Sequence, residues 1–361
     1  MRQFITLALC FCVITAFAGC SSGDAPSNAP SNATSSADTG SESEQPASSQ
    51  SSAAPIEINI STVQTDAQLL GRGANLLKER LESSDIADRI NVRVYTGASL
   101  YNATEEIDAL RNNDLQIGFV NGTNLEAVSP QMGLFKLPYM FSSVESAYRV
   151  LDSGIADDVF ESIDNFKVLA SIGMGHSVIG NSKRPLKAPE DLEGLKLRAP
   201  GSIESSIVEA LGSTVVVISS EETYSALQQN VVDGLATPSL VFEQRRYYEV
   251  QDYLTDAGMM FFPIAFVIAG EKFWDGLPED IALEMSEIMA ELSAELRQEA
   301  VTGAQNTFDL CEQEGVAVYT LTADEQTAWK EATLTVYDMY KDQVGEALIE
   351  KTRDRVKEIG D

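Results

Sequence analysis

Arg198, in the stretch LKLRAPGS from Leu195 to Ser202, has the clearest chemical assignment in the sequence. Leu195 and Leu197 alternate with Lys196 and Arg198, which is the period of a short half-buried strand. Pro200 and Gly201 stop that strand, and Ser202 is placed to cap a helix with Ile203, Ile207, Val208 and Leu211 on its apolar face. A strand end followed by a helix N-terminus is where α/β folds build anion sites. A guanidinium there presents a rigid five-donor fork that suits the two oxygens of a carboxylate. The competing reading is a surface salt bridge, because 55 acidic residues outnumber 25 basic ones in the 361-residue chain.

Other reactive residues are sparse. His176 is the only histidine, so the sequence offers no histidine relay and no histidine cluster for zinc. It is expected to be structural or to touch a ligand rather than to act as a base. Cys311 falls within a long helical pattern and reads as a small buried hydrophobe. Carboxylates are too numerous for any pair to stand out as a glycosidase site. The sequence shows no Walker loop, no dinucleotide fingerprint and no calcium loop of the required spacing. Binding without catalysis is therefore expected, with no cofactor and no metal. Phe273 and Trp274 read as packing residues rather than a platform for sugars. The net charge of −30 repels nucleic acid and anionic membrane surfaces.

The N-terminus has its own logic. Arg2, an apolar run from Phe4 to Phe17, and the small residues Ala18 and Gly19 lead to Cys20. This is the pattern of a lipoprotein signal peptide over 1–19, with Cys20 as the lipidated residue. An uncleaved anchor is the alternative, although the apolar run is short for a spanning helix. Loss of Cys10 and Cys12 with the signal leaves Cys311 without a disulfide partner. Residues 20–55 are rich in Ser, Ala and Pro with almost no large apolar side chains, the composition of a disordered tether.

The elements that must position Arg198 follow from periodicity. IEINIST (56–62), INVRVYT (90–96) and LQIGFVNG (115–122) are expected strands separated by helical patterns, which predicts parallel strands with crossover helices. Their ends carry Gln64 and Thr65, Ser99 to Asn102, and Asn121 to Thr123. A second cycle runs through FKVLASIGMG, SVIGNS, LKLRAPG, a buried strand STVVVIS (213–219) and VVDGLATPS. Ser219 with Glu222 is expected to box the start of a helix bearing Tyr224 and Leu227. The apolar run MFFPIAFVIAG (260–270) is long enough for a strand that returns the chain to the first cycle. From Pro278 to Glu312 a helix of about 45 Å is predicted, long enough to cross two lobes.

The block NSKRPLKAPEDLEGLKLRAPGSIESSIVEALGSTVVVISSEETYSALQQNVVDGLATP, Asn181 to Pro238, closely resembles the solute receptors of tripartite ATP-independent periplasmic (TRAP) transporters, the DctP type. YTGASLYNATEEIDALRNNDLQIGFVN, FKLPYMFSSVESAYRVLD and YYEVQDYL fit the same family in the same order, so the resemblance covers residues 56 to 345. It implies an α/β, two-lobed periplasmic-binding-protein-like fold, each lobe a mainly parallel sheet with flanking helices, and a long helix bridging the lobes. It also implies a small organic acid as ligand, delivered to small and large integral membrane subunits for uptake driven by an ion gradient. The family's carboxylate-pairing arginine falls on Arg198.

Departures from the family pattern qualify the rest of the site. Relatives carry a second arginine where this chain has Ser177-Val178, and Gly180 replaces a threonine. A usual asparagine is Thr237, and an aromatic residue is Ser220. By the same alignment Asn121 faces the ligand from the first lobe, and Phe262 does so from the hinge. Gln64, Gly201 and His176 complete the candidate ligand-binding set with Val178. A pocket with one charge clamp and fewer polar partners suggests a monocarboxylate with an apolar or aromatic body.

The expected division is 56–175 plus 264–303 for lobe I and 176–263 plus 304–361 for lobe II. Two other classes of function stay open at this stage. One is a receptor serving an ATP-driven importer or a membrane sensor, and the other a secreted hydrolase. The main expectation is an extracytoplasmic, lipid-anchored solute receptor.

Overall fold

The computed structural model describes residues 54–161 and 163–360. The expected signal peptide, Cys20 and all of the tether except Ala54 and Pro55 lie outside the described residues. The strands are, in chain order, β1 (Ile56–Ser61), β2 (Ile90–Tyr95), β3 (Ile117–Asn121), β4 (Phe166–Gly173) and β5 (Ser177–Asn181). They continue as β6 (Lys196–Arg198), β7 (Thr214–Val216), β8 (Gly234–Pro238), β9 (Tyr253–Asp256), β10 (Ile264–Gly270) and β11 (Ala317–Thr320). Two sheets result, one of order β2-β1-β3-β10-β4 and one of order β11-β9-β5-β8-β6-β7.

Both sheets are mixed, and one strand causes the mixing in each. β10 runs antiparallel to β3 and β4, and β5 runs antiparallel to β8 and β9, while the remaining pairings are parallel. These two strands mark the first two of three changes of sheet, the third being the return to β11 after β10. It leaves the first sheet at Gly173 and enters the second as β5; it leaves the second at Asp256 and returns as β10.

Alternation explains how the sheets are covered. In β1, Ile58 and Ile60 are fully buried while Asn59 between them is only half-buried. β10 is buried along its whole length because it lies between two strands with a core on each face. Phe266 and Ile268 join the cluster containing Phe135 and Leu137, and Ala265 and Val267 join the one containing Ile58 and Leu292.

The long helix Glu279–Gln313 has 35 residues, about 50 Å at 1.5 Å per residue. Ile281, Met285, Ile288, Leu292 and Leu296 pack beneath the first sheet, and Phe273 and Trp274 pack on the same cluster. Farther along, Ala304, Phe308 and Cys311 join Val178, Leu235 and Leu254 in the core of the second sheet. The helices Thr335–Val344 and Glu346–Glu358 touch both halves: Val336 packs with Leu197 and Ile203, whereas Val344 and Ile349 pack with Phe135 and Phe141.

Three local expectations are corrected. STVVVIS is not a buried strand: β7 is three residues at the sheet edge, and Val217 is 92% exposed. An apolar run here marks an edge without a second covering layer. Ser202 does not cap its helix, because the helix Ser202–Ala210 already includes it and Gly201 holds the cap position. Ser219 does donate to the Glu222 carboxylate at 3.0 Å, but the helix Thr223–Gln228 begins only after Glu222, so the pair closes the preceding turn.

Candidate functional site

A cavity of ≈ 260 Å³ lies between the two sheets. The first sheet contributes Gln64 from beyond β1, Asn121 from the end of β3 and Thr123 from the short helix Gly122–Glu126 that follows it. The second contributes Arg198 from the end of β6 and Thr237 from β8. Met174, Phe261, Pro263 and Ile264 form the wall where the chain changes sheet. Carboxyl ends of parallel strands thus converge on the cavity from both sides, the usual ligand edge of α/β sheets.

Arg198 is 6% exposed and its guanidinium is fixed at two points. Nε donates to the Ile218 carbonyl at 3.2 Å and Nη2 donates to the Ser220 hydroxyl at 3.0 Å. Among the described residues it forms no ion pair with any carboxylate. Burial holds its pKa below the usual arginine range, an effect that Tyr247, Glu204 and Glu221 oppose. A buried cation without a counter-ion is costly, so the arrangement calls for an anion. The surface salt bridge is not what the residue forms.

Two cations that periodicity did not single out share this cavity. Lys136 ends the 3-10 segment Pro130–Lys136, and its side chain is 3% exposed. Nζ lies 2.6 Å from Glu126 Oε1 and 2.8 Å from Glu204 Oε1, and also contacts Thr123 Oγ1. Burial disfavours the ammonium, but Glu204 and Glu126 outweigh it and hold the pKa above the usual lysine range. Burial, with Glu204 nearby, pushes Glu126 up despite Lys136. Arg245 follows the helix Ser239–Gln244 and donates from Nη1 to the Ser220 carbonyl at 3.0 Å.

The structure brings Arg198, Thr237, Asn121, Ser220 and Gln64 together on the cavity wall. It places four other candidates elsewhere. Phe262 is 1% exposed and turns away from the cavity into the first core, edge-on to Phe141 and Tyr148 with centroids 5.7 and 6.0 Å away. Its neighbour Phe261 lines the cavity instead. Val178 is fully buried in the cluster with Leu235 and Phe242. Gly201 backs onto Thr123: a Cβ there would come 2.8 Å from Thr123 Cγ2, so its role is close approach of the two halves.

His176 lies outside the cavity lining, at the first change of sheet, with Nδ1 3.2 Å from Asp256 Oδ1 at the second. Burial lowers its pKa but the Asp256 carboxylate outweighs this, so the imidazole is held above its ordinary range. It braces the crossings.

Residues 60–343 match the family described as bacterial extracellular solute-binding protein, family 7, DctP. The chain belongs to this family. A relative is the C4-dicarboxylate-binding periplasmic protein DctP of Vibrio cholerae, 26% identical over 79% of this chain and 86% of that protein. The C4-dicarboxylate-binding protein DctB of Bacillus subtilis is 29% identical over 72% of this chain and 75% of that one. A crystal structure of a TRAP periplasmic solute-binding protein from Sulfurospirillum deleyianum with bound succinate superposes with TM-score 0.75 at 27% identity. It covers 83% of this chain and 99% of the other.

In this DctP-family chain the missed cations had readable signals. Lys136 interrupts the apolar run GLFKLPY, and a lysine between Phe135 and Leu137 must either leave the core or find acids inside it. Arg245 stands beside Arg246 in a chain short of bases. Which of those two faces inward depends on how the helix end sits against Ser220, and periodicity carries no such information.

Proposed function

We propose that this DctP-family protein is the extracytoplasmic receptor of a TRAP transporter, capturing a small organic acid between its two halves with the ligand carboxylate on Arg198. The observation that carries this reading is the buried, unpaired Arg198 guanidinium on the wall of an interlobe cavity. Relatives named as C4-dicarboxylate-binding proteins, and neighbours with bound succinate and L-malate, support an acidic ligand. The protein has no catalytic role in this reading; it hands the loaded form to the membrane subunits of the carrier.

Residues 56–175 with 264–303 act as one lobe and 176–263 with 304–361 as the other, with the tail helices bracing both. Closure expels water around the ligand and strengthens the charge-assisted bonds to Arg198. Differential affinity for the closed state drives the change. Cys20 carries the lipid that holds the receptor at the membrane, and Cys20→Ser releases it to the soluble fraction.

The test is mass spectrometry of the ligand carried through native purification, followed by calorimetry with that compound. Stoichiometric binding of an organic acid without turnover supports the proposal. A neutral ligand, or steady conversion of the acid to product, overturns it.

A further inference from the structure

The cavity holds a second guanidinium that pairs with no carboxylate among the described residues. Arg72, Arg89, Arg93, Arg111 and Arg297 each pair with a carboxylate, as expected where acids are plentiful. Even the adjacent Arg246 pairs with Glu249. Arg245 does not: its hydrogen bond is to the carbonyl oxygen of Ser220, and among the described residues no carboxylate lies within ion-pair distance. Glu221 lines the same cavity but is exposed and pairs with neither arginine.

The two cations are arranged around one residue. Arg198 grips the Ser220 hydroxyl and Arg245 grips the Ser220 carbonyl, so the loop bearing Ser220 is held between them. Arg198 keeps Nη1, and Arg245 keeps Nε and Nη2, without a protein acceptor among the described residues. The two guanidinium groups repel each other, and Arg245 adds to the depression of the Arg198 pKa. A single carboxylate satisfies one fork and leaves the other half-buried charge unmatched when closure removes water.

We propose that Arg245 is a second anion clamp that determines specificity, so that the receptor prefers acids carrying two anionic groups over analogues carrying one. The inference rests on reading the cavity as an organic-acid site and narrows it. It replaces the expectation of a monocarboxylate with an apolar body, which followed from counting Arg198 as the only clamp. The missing arginine at Val178 is thereby compensated from a different element, on the opposite flank of Ser220.

The experiment uses matched ligands. Succinate and glutarate are compared with their monoamides, succinamate and glutaramate, which keep length and hydrogen bonding but remove one charge. Calorimetry on the ligand-stripped protein is expected to show at least tenfold tighter binding of a diacid than of its monoamide. Arg245→Gln reduces that ratio to below threefold while leaving monoamide affinity within threefold of the parent. Arg245→Lys, which keeps the charge but loses the fork, gives an intermediate ratio and carries the test if the glutamine variant melts early.

An unchanged ratio in both variants overturns the second clamp. Equal weakening of diacid and monoamide also overturns it, since that marks Arg245 as a brace for Ser220 and Arg198. Binding of acids by the parent with no preference for two charges removes the second clamp and leaves the receptor reading standing. Failure of every diacid and monoamide to bind the parent overturns the second clamp, and the receptor reading falls with it only if the ligand carried through purification is neutral.

Discussion

Lys136 and Glu204 meet at 2.8 Å on the cavity wall, the first from the 3-10 segment before Leu137 and the second from the helix that follows Arg198. Both side chains are nearly sealed from water, at 3% and 2% exposure. Such a pair contributes little net stability, but removing one partner strands the other charge, at about 3–5 kcal/mol. Lys136→Met should lower the unfolding free energy by about that amount in urea titrations. The double variant Lys136→Met/Glu204→Gln should recover part of the loss. A cost of under about 1 kcal/mol for the single variant would mean that water reaches the pair.

Glu106, on the helix Ala103–Asn112, is fully buried, and burial pushes its carboxyl up to about 8 against the opposing effect of Ser61. A carboxyl whose folded pKa exceeds its unfolded one binds its proton more tightly in the fold, so it favours folding at low pH. That stability is fully present below about pH 4.5 and is lost as pH rises through about 8. His176, also raised, slopes the same way above its unfolded pKa of about 6.5. Urea denaturation should show the protein losing on the order of 4 kcal/mol between pH 5 and 9 from Glu106. Glu106→Gln should flatten the profile, and an unflattened profile would show that Glu106 is ionised in the fold.

The legible part of the molecule was what repeats and what breaks the repeat. β1, β2, β10 and the 35-residue helix follow from apolar spacing, and Arg198 follows from a strand end meeting a helix start. The signals at Lys136 and Arg245 mark a cation but not its place, because their burial is decided by the packing of distant segments: Glu204 lies 68 residues from Lys136, and Ser220 25 from Arg245. The family alignment points to Phe262 whereas Phe261 lines the cavity, and periodicity offers no check because 257–263 is irregular chain, where neither a two-residue nor a 3.6-residue period assigns faces. STVVVIS failed for another reason: β-branched residues favour extended chain wherever it lies, and an edge strand satisfies that preference without being buried.

Arg198→Ala should weaken binding of the acid roughly ten- to two-hundred-fold, the equivalent of about 1.5–3 kcal/mol for a charge-assisted bond. Arg198→Lys should restore only part of the affinity, because an ammonium forms no parallel pair of bonds. Calorimetry measures both, with thermal melting as the folding control. Undiminished affinity in Arg198→Ala would place the clamp elsewhere in the cavity.

Gly71 lies in the helix Leu69–Glu82 against the turn that carries Gln64. A Cβ there would come 2.0 Å from the Thr65 carbonyl oxygen, which is backbone and unable to rotate away. Gly71→Ala should therefore displace the turn and cost about 1–3 kcal/mol. The hydrogen bond from Leu70 N–H to Gln64 Oε1 should loosen with it, weakening the ligand site. Parallel melting and calorimetry should show both losses; a normal melting temperature would mean that the helix shifts as a unit.

The place of β10 between β3 and β4 governs the order in which the protein is born. β4 is complete at Gly173, yet its neighbour in the sheet ends only at Gly270, on the far side of nearly all of the second sheet. At 5–20 residues per second, β4 leaves the ribosome on the order of 5–20 s before the strand that pairs with it. Through that interval β3 and β4 carry bare ladder edges and half of an apolar core, a state prone to wrong partners. The first sheet therefore closes late although its strands begin first, and its folding waits until most of the second sheet has been made.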